Sequence, residues 1–195
     1  MGLRILTIMI FLTVAIPVAR AEPVSTEPCS LSREDKVENA KLTFDDFDQK
    51  GVISSTWRQL SNRKCEIQAI EAAEDYLIHG QVTREGERHN IIFHIGQSLA
   101  MANKYEEAAL MMASSKNPTQ QVNSEQDWNT YVDGTWAFLK RDRVSLENFR
   151  EQLLKTTGYG NNINTAVLTG LLNCFDQPYS IAYDQLCRDG KNPTQ

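Results

Sequence analysis

The stretch His94 to Ser115, HIGQSLAMANKYEEAALMMASS, reads as two amphipathic helices with a tight break between them. Ile92, Ile95, Leu99 and Met101 mark one apolar stripe; Tyr105, Ala108, Leu110, Met111 and Met112 mark the next. Recurrence at three- and four-residue intervals is the sign of a helix that buries one face. Ala102-Asn103-Lys104 lies between the stripes, where a helix stops. Gly96 precedes Tyr105 by nine residues and Ala108 follows it by three. Small side chains at Gly96 and Ala108 let the two helices approach closely, and Tyr105 fills the gap beside the turn.

The same arrangement recurs on both sides. Upstream, a helix carrying Trp57 and Leu60, capped by Ser54 or Ser55, breaks at Asn62-Arg63-Lys64; Ile67, Ile70, Ala73, Tyr76 and Leu77 then form an apolar face. Downstream, Gly134, the break Arg141-Asp142 and Leu146 repeat the pattern; Gly170, Asp176-Gln177-Pro178, Tyr179 and Ala182 repeat it again. The anchor positions 69, 108, 146 and 182 give a period of 36 to 39 residues. The pentapeptide Lys-Asn-Pro-Thr-Gln occurs at 116–120 and 191–195, each time after a second helix, as a relic of duplication or a common helix stop.

These residues resemble the tetratricopeptide repeat (TPR), with a small residue late in the first helix, an aromatic opening the second and a small residue one turn on. The resemblance covers about 55–188 and departs from the pattern at Trp57, Asp133 and Arg143. It implies an all-α fold: a right-handed stack of antiparallel helical hairpins, a TPR-like α-solenoid, with units near 55–78, 88–115, 127–154 and 164–188. It also implies a protein-interaction module of an exported bacterial type. Carried over residue by residue, the repeat points Asn90, Phe93, Gln97 and Met101 to the concave side, then Trp128, Tyr131, Thr135 and Phe138, and from the last unit Asn164 and Val167. Aromatics mixed with amides suit a peptide-binding groove. The alternative is that Phe93, Tyr131 and Phe138 pack between neighbouring hairpins.

Ahead of the repeats, Arg4, the apolar run Ile5–Val18 and Ala19-Arg20-Ala21 read as a signal peptide over 1–21, leaving 22–195 as one helical domain. Localisation outside the cytoplasm follows, periplasmic or secreted, with no membrane insertion after cleavage. The formal charge falls from −5 to −7 once Arg4 and Arg20 leave, a balance that disfavours nucleic acid and anionic membrane surfaces. Cys29, Cys65, Cys174 and Cys187 then sit in an oxidising compartment. Three pairings are possible. Pairing of neighbours is the default expectation, although Cys174 and Cys187 would be too far apart on one hairpin unless the last helix ends early.

Ser32-Arg33-Glu34-Asp35 opens an N-terminal helix expected over about Arg33–Phe47, with Ser32 as its cap. Asp46, Asp48 and Gly51 begin like a calcium loop, but Lys50 and Trp57 stand where oxygen ligands belong. The acids Asp45, Asp46 and Asp48 therefore read as a solvated helix end. His79, His89 and His94 form no metal or nucleophile motif, so no metal, cofactor or catalytic residue is expected. Asp133, beside Gly134, needs a partner: Arg143 or Arg150 is expected, with a cationic group of a ligand as the alternative. The function expected is non-catalytic binding of a protein or peptide. An immunity or inhibitor protein that neutralises a toxin or hydrolase, and an enzyme with an unrecognised site, are the alternatives.

Overall fold

The computed structural model describes residues 29–120, 127–156 and 158–191. The expected signal peptide and most of the second Lys-Asn-Pro-Thr-Gln lie outside them. Among the described residues the fold is all-helical. The order is α1 (Arg33–Lys41), a π-helical turn (Asp45–Lys50), α2 (Trp57–Asn62), α3 (Glu66–His79), α4 (Glu85–Met101), α5 (Tyr105–Ser114), α6 (Trp128–Leu139), α7 (Arg143–Leu154), α8 (Tyr159–Asn173), α9 (Tyr179–Ala182) and α10 (Gln185–Arg188). Consecutive helices pack against one another from α2 to α8, and α8 packs on both α9 and α10.

Local chemistry explains most boundaries. Ser32 caps α1: its Oγ accepts from the Asp35 amide at 3.1 Å, while Asp35 accepts from the Ser32 amide at 2.9 Å. Both exchanges satisfy amides that the first turn leaves unpaired. The helix expected to run on to Phe47 ends instead at Lys41, because Leu42 turns extended. Thr43 then restarts helical structure by accepting from the Asp46 amide at 3.2 Å. Neither Ser54 nor Ser55 caps α2, whose preceding residue is Thr56. Ser55 is buried and exchanges two hydrogen bonds with the Asn39 amide, fastening α1 to the entry of α2.

Three hairpin turns share one geometry. Lys64, Asn103 and Arg141 have φ of 65°, 60° and 58°, each two residues before the second helix. The amide that follows each of them bonds back five residues: Cys65 to Leu60, Lys104 to Leu99 and Asp142 to Ala137, at 2.9 to 3.0 Å. This is a Schellman closure, which normally uses glycine at the left-handed position. The fourth turn cannot copy it, since Gln177 precedes Pro178 and proline forces the residue before it toward extended backbone.

Two apolar clusters share α4 as their common wall. Ile91 and Ile95 join the N-terminal cluster with Phe47, Leu60 and Tyr76. Phe93 and Ala100 join the C-terminal cluster with Val132, Phe138, Leu146 and Leu168. The central glycines act at close approaches of two kinds. A side chain at Gly96 would meet the Ala108 carbonyl and Met111 Cβ at 3.2 Å, within its own hairpin. At Gly134 it would meet Leu168 Cδ1 at 2.5 Å, on α8.

The cysteines pair as neighbours, Cys29 with Cys65 and Cys174 with Cys187. The second pair is reachable because α9 stops after four residues. The chain bends at Tyr183 and Asp184, and α10 brings Cys187 back to a Cα separation of 5.8 Å from Cys174. α9 also lies against α4, and the Tyr179 amide donates to the hydroxyl of Tyr105, the first residue of α5, at 3.0 Å. The C-terminal end of the fold thus reaches back to α4 and α5.

Candidate functional site

The fold-back walls a cleft of about 360 Å³ between the two halves. From the first half come Gln49, Arg58, Asn90, Phe93, His94 and Gln97. Trp128 and Tyr131 of α6, Ile163, Asn164 and Val167 of α8, and Tyr183 and Arg188 face them. A second hollow of about 220 Å³ continues the cleft, sharing Arg58, Gln97 and Tyr183 and adding Met101, Glu66 and Asp184.

One wall is organised by Asp48, whose side chain is fully buried. Its Oδ1 accepts from Trp57 Nε1 at 2.9 Å and lies 2.7 Å from His94 Nδ1; its Oδ2 accepts from Gln49 Nε2 at 2.6 Å. A carboxylate only accepts, so His94 carries a proton on Nδ1 and turns Nε2 away from Asp48. The imidazole stacks on Trp57 with centroids 4.4 Å apart. Nε2 of His94 makes no hydrogen bond among the described residues. The acids expected to face water therefore divide: Asp45 and Asp46 pair with Lys50 at the surface, while Asp48 is internal. Nothing in the sequence near Asp48 marks this, since its partner His94 is 46 residues away.

Where α4 meets α6 the cleft is aromatic. Phe93 and Trp128 meet edge to face at 5.0 Å, and Tyr131 lies 5.1 Å from Phe93. Trp128 is half-buried and anchored by Nε1, which donates to the Ser115 carbonyl at 2.8 Å. Ile163 is 45% exposed on the cleft rim. Burial pushes the Tyr131 and Tyr179 hydroxyls well above the ordinary tyrosine range.

The residues assigned to the groove separate into three groups. Asn90, Phe93, Gln97, Trp128, Tyr131, Asn164 and Val167 line the cleft, and Met101 lines its continuation. Thr135 and Phe138 do not: both are fully buried, Thr135 donating to the Tyr131 carbonyl and Phe138 packing on Phe175 and Tyr179. Phe93 and Tyr131 do both jobs, since they line the cleft and are buried in the C-terminal core. Asp133 is paired, with Lys116 at 2.8 Å rather than with Arg143 or Arg150, because the link after α5 brings Lys116 over α6. Arg58, Arg188, His94, Tyr183 and Ile163 were not assigned to the groove from sequence.

Among the described residues no group of three His, Cys, Asp or Glu side chains could hold a metal ion. None of their helices is long and apolar enough to cross a membrane. No family model, characterised protein or solved structure matches the chain.

Proposed function

We propose that this chain is an exported, TPR-like helical-repeat protein whose hairpins stack to present the cleft, and that the cleft binds an extended peptide segment of a protein partner without catalysis. The carrying observation is the composition of the cleft wall. Phe93, Trp128, Tyr131 and the exposed Ile163 offer apolar area, while Asn90, Gln97 and Asn164 offer amides that can bond a peptide backbone. Interfaces take most of their affinity from such aromatic anchors. Two disulfides are consistent with export into an oxidising compartment.

The experiment is capture of partners from the exported fraction by wild-type chain and by two variants, Trp128→Leu and Ile163→Asn, with melting temperatures measured alongside. Ile163 is exposed, so its variant keeps the fold. Loss of an aromatic hot spot worth about 2 kcal/mol weakens binding roughly thirtyfold. A partner held at full affinity by both folded variants disposes of the cleft as the binding site.

A second reading rests on Asp48 and His94. An imidazole oriented by a buried carboxylate is the arrangement of a general base. The cleft wall carries no serine, cysteine or lysine nucleophile beside it, so the base would act on water or on a substrate hydroxyl. Hydrolysis by wild-type chain that His94→Gln abolishes would establish this reading in place of the first.

A further inference from the structure

We infer that the cleft selects an acidic side chain on the segment it binds. This rests on the peptide-binding reading above and names the chemistry of the partner.

The chain is acidic overall, at −5. The larger hollow has the opposite balance: Arg58 and Arg188 line it and no Glu or Asp does, while its continuation carries Lys64, Glu66 and Asp184, so the acidic side chain is placed in the larger hollow. Asp48, the carboxylate behind the wall, is fully buried and already accepts three hydrogen bonds. Neither arginine has a carboxylate within ion-pair distance among the described residues.

Both guanidinium groups are held in place by contacts that leave donors over. Arg58 Nε donates to the Asp48 carbonyl at 2.9 Å, and its guanidinium lies 4.5 Å above the Trp57 ring. Arg188 donates from Nε and Nη2 to the Tyr183 carbonyl at 3.1 and 2.9 Å, and lies 4.5 Å above the Tyr183 ring. Each is oriented before any ligand arrives, so little side-chain freedom is lost when it meets an oxygen anion.

A third donor points the same way. Asn164 is 8% exposed and lines the cleft, yet its Nδ2 meets no acceptor among the described residues. Buried amide donors are almost always satisfied. A ligand carboxylate accepts at both oxygens, the chemistry that an arginine and an unpartnered amide donor both require.

The anion belongs to a side chain rather than to a chain end. The second hollow continues the first through Arg58, Gln97 and Tyr183, so a bound segment passes along the groove instead of terminating in it.

The test uses the full chain and fluorescein-labelled octapeptides, acetylated and amidated at their ends. Glu, Gln or Lys is fixed at each position in turn and the other positions are mixed. Polarisation at low salt is expected to favour the Glu set over the Gln set by tenfold or more at one position, with Lys weakest. Arg58→Gln and Arg188→Gln are each expected to lose that preference. Salt at 0.5 M, which screens the charge without altering the chain, is expected to shrink it as well. Equal affinity for Glu and Gln sets, with binding that Trp128→Leu abolishes, overturns the acidic preference and leaves the peptide cleft standing. A preference met only by peptides with a free C-terminal carboxylate overturns the side-chain assignment. No binding by any set overturns both.

Discussion

His94 Nδ1 and Asp48 Oδ1 lie 2.7 Å apart, and this contact joins α4 to the π-helical turn. The same oxygen receives Trp57 Nε1 from α2, so one buried carboxylate ties three elements and sets one wall of the cleft. Asp48→Asn keeps the shape but offers one acceptor oxygen where two are used. The amide that replaces the other faces the Gln49 amide or the His94 and Trp57 donors. The expected cost is about 2–3 kcal/mol, the worth of hydrogen bonds to a charged group. Equilibrium denaturation measures it, and a stability unchanged within about 0.5 kcal/mol would remove Asp48 from this role.

Gly134 and Leu168 provide a second check, on the contact between α6 and α8. Leu168 is fully buried, so it cannot swing away from a methyl group placed 2.5 Å from its Cδ1. Gly134→Ala is expected to destabilise by about 1–3 kcal/mol through overpacking. Better helix propensity at the alanine, about 1 kcal/mol, offsets part of that. The measured change in melting temperature is therefore negative but moderate; an increase would show that α6 and α8 separate at no cost.

Lys64 carries a positive φ with a side chain exposed to solvent. A left-handed residue other than glycine costs roughly 1 kcal/mol. Lys64→Gly is expected to raise stability by about that amount, and Asn103→Gly by less, because asparagine tolerates this conformation. Arg141→Gly belongs to a different case: its guanidinium donates to the Phe175 carbonyl, and that bond goes with the side chain. Chemical denaturation midpoints that fall for Lys64→Gly would contradict the turn geometry.

Alkaline pH tests the buried tyrosines. Burial pushes the Tyr76 hydroxyl up to about 12, and Tyr131 and Tyr179 are also raised well above their ordinary value by burial. An unfolded tyrosine ionises near pH 10. The unfolded chain therefore loses these protons first, so the stability they contribute is intact below about pH 10 and is lost as pH rises through about 12. Denaturation midpoints should fall between pH 10 and 12, with tyrosinate absorbance growing together with loss of helical signal. Full tyrosine ionisation near pH 10 in a chain that stays helical would refute it.

Much of the local structure was legible in the sequence because it depends on neighbours along the chain. Apolar spacing located α4, α5, α6 and α7, and the breaks at Asn103 and Arg141 fell where the turns occur. Ser32 capped as its spacing with Asp35 indicated. Phe44 and Phe47 continue the apolar stripe of the first helix and so predict a longer one than α1; only the extended Leu42 and the Thr43 cap show the interruption.

The sequence by itself determined α4 to α7, the Ser32 cap and the breaks at Asn103 and Arg141, since backbone hydrogen bonds within a helix and across a tight turn join residues at most five apart. The tertiary structure alone decided which side chains share the cleft. Asp48 met His94, Lys116 met Asp133, and α9 came back onto α4. Those contacts follow from the angles at which helices pack and from where the final helix breaks, and neither leaves a periodic mark in the chain. Thr135 and Phe138 share α6 with Trp128 and Tyr131, yet the packing of α8 and α9 covers the first pair and leaves the cleft open at the second.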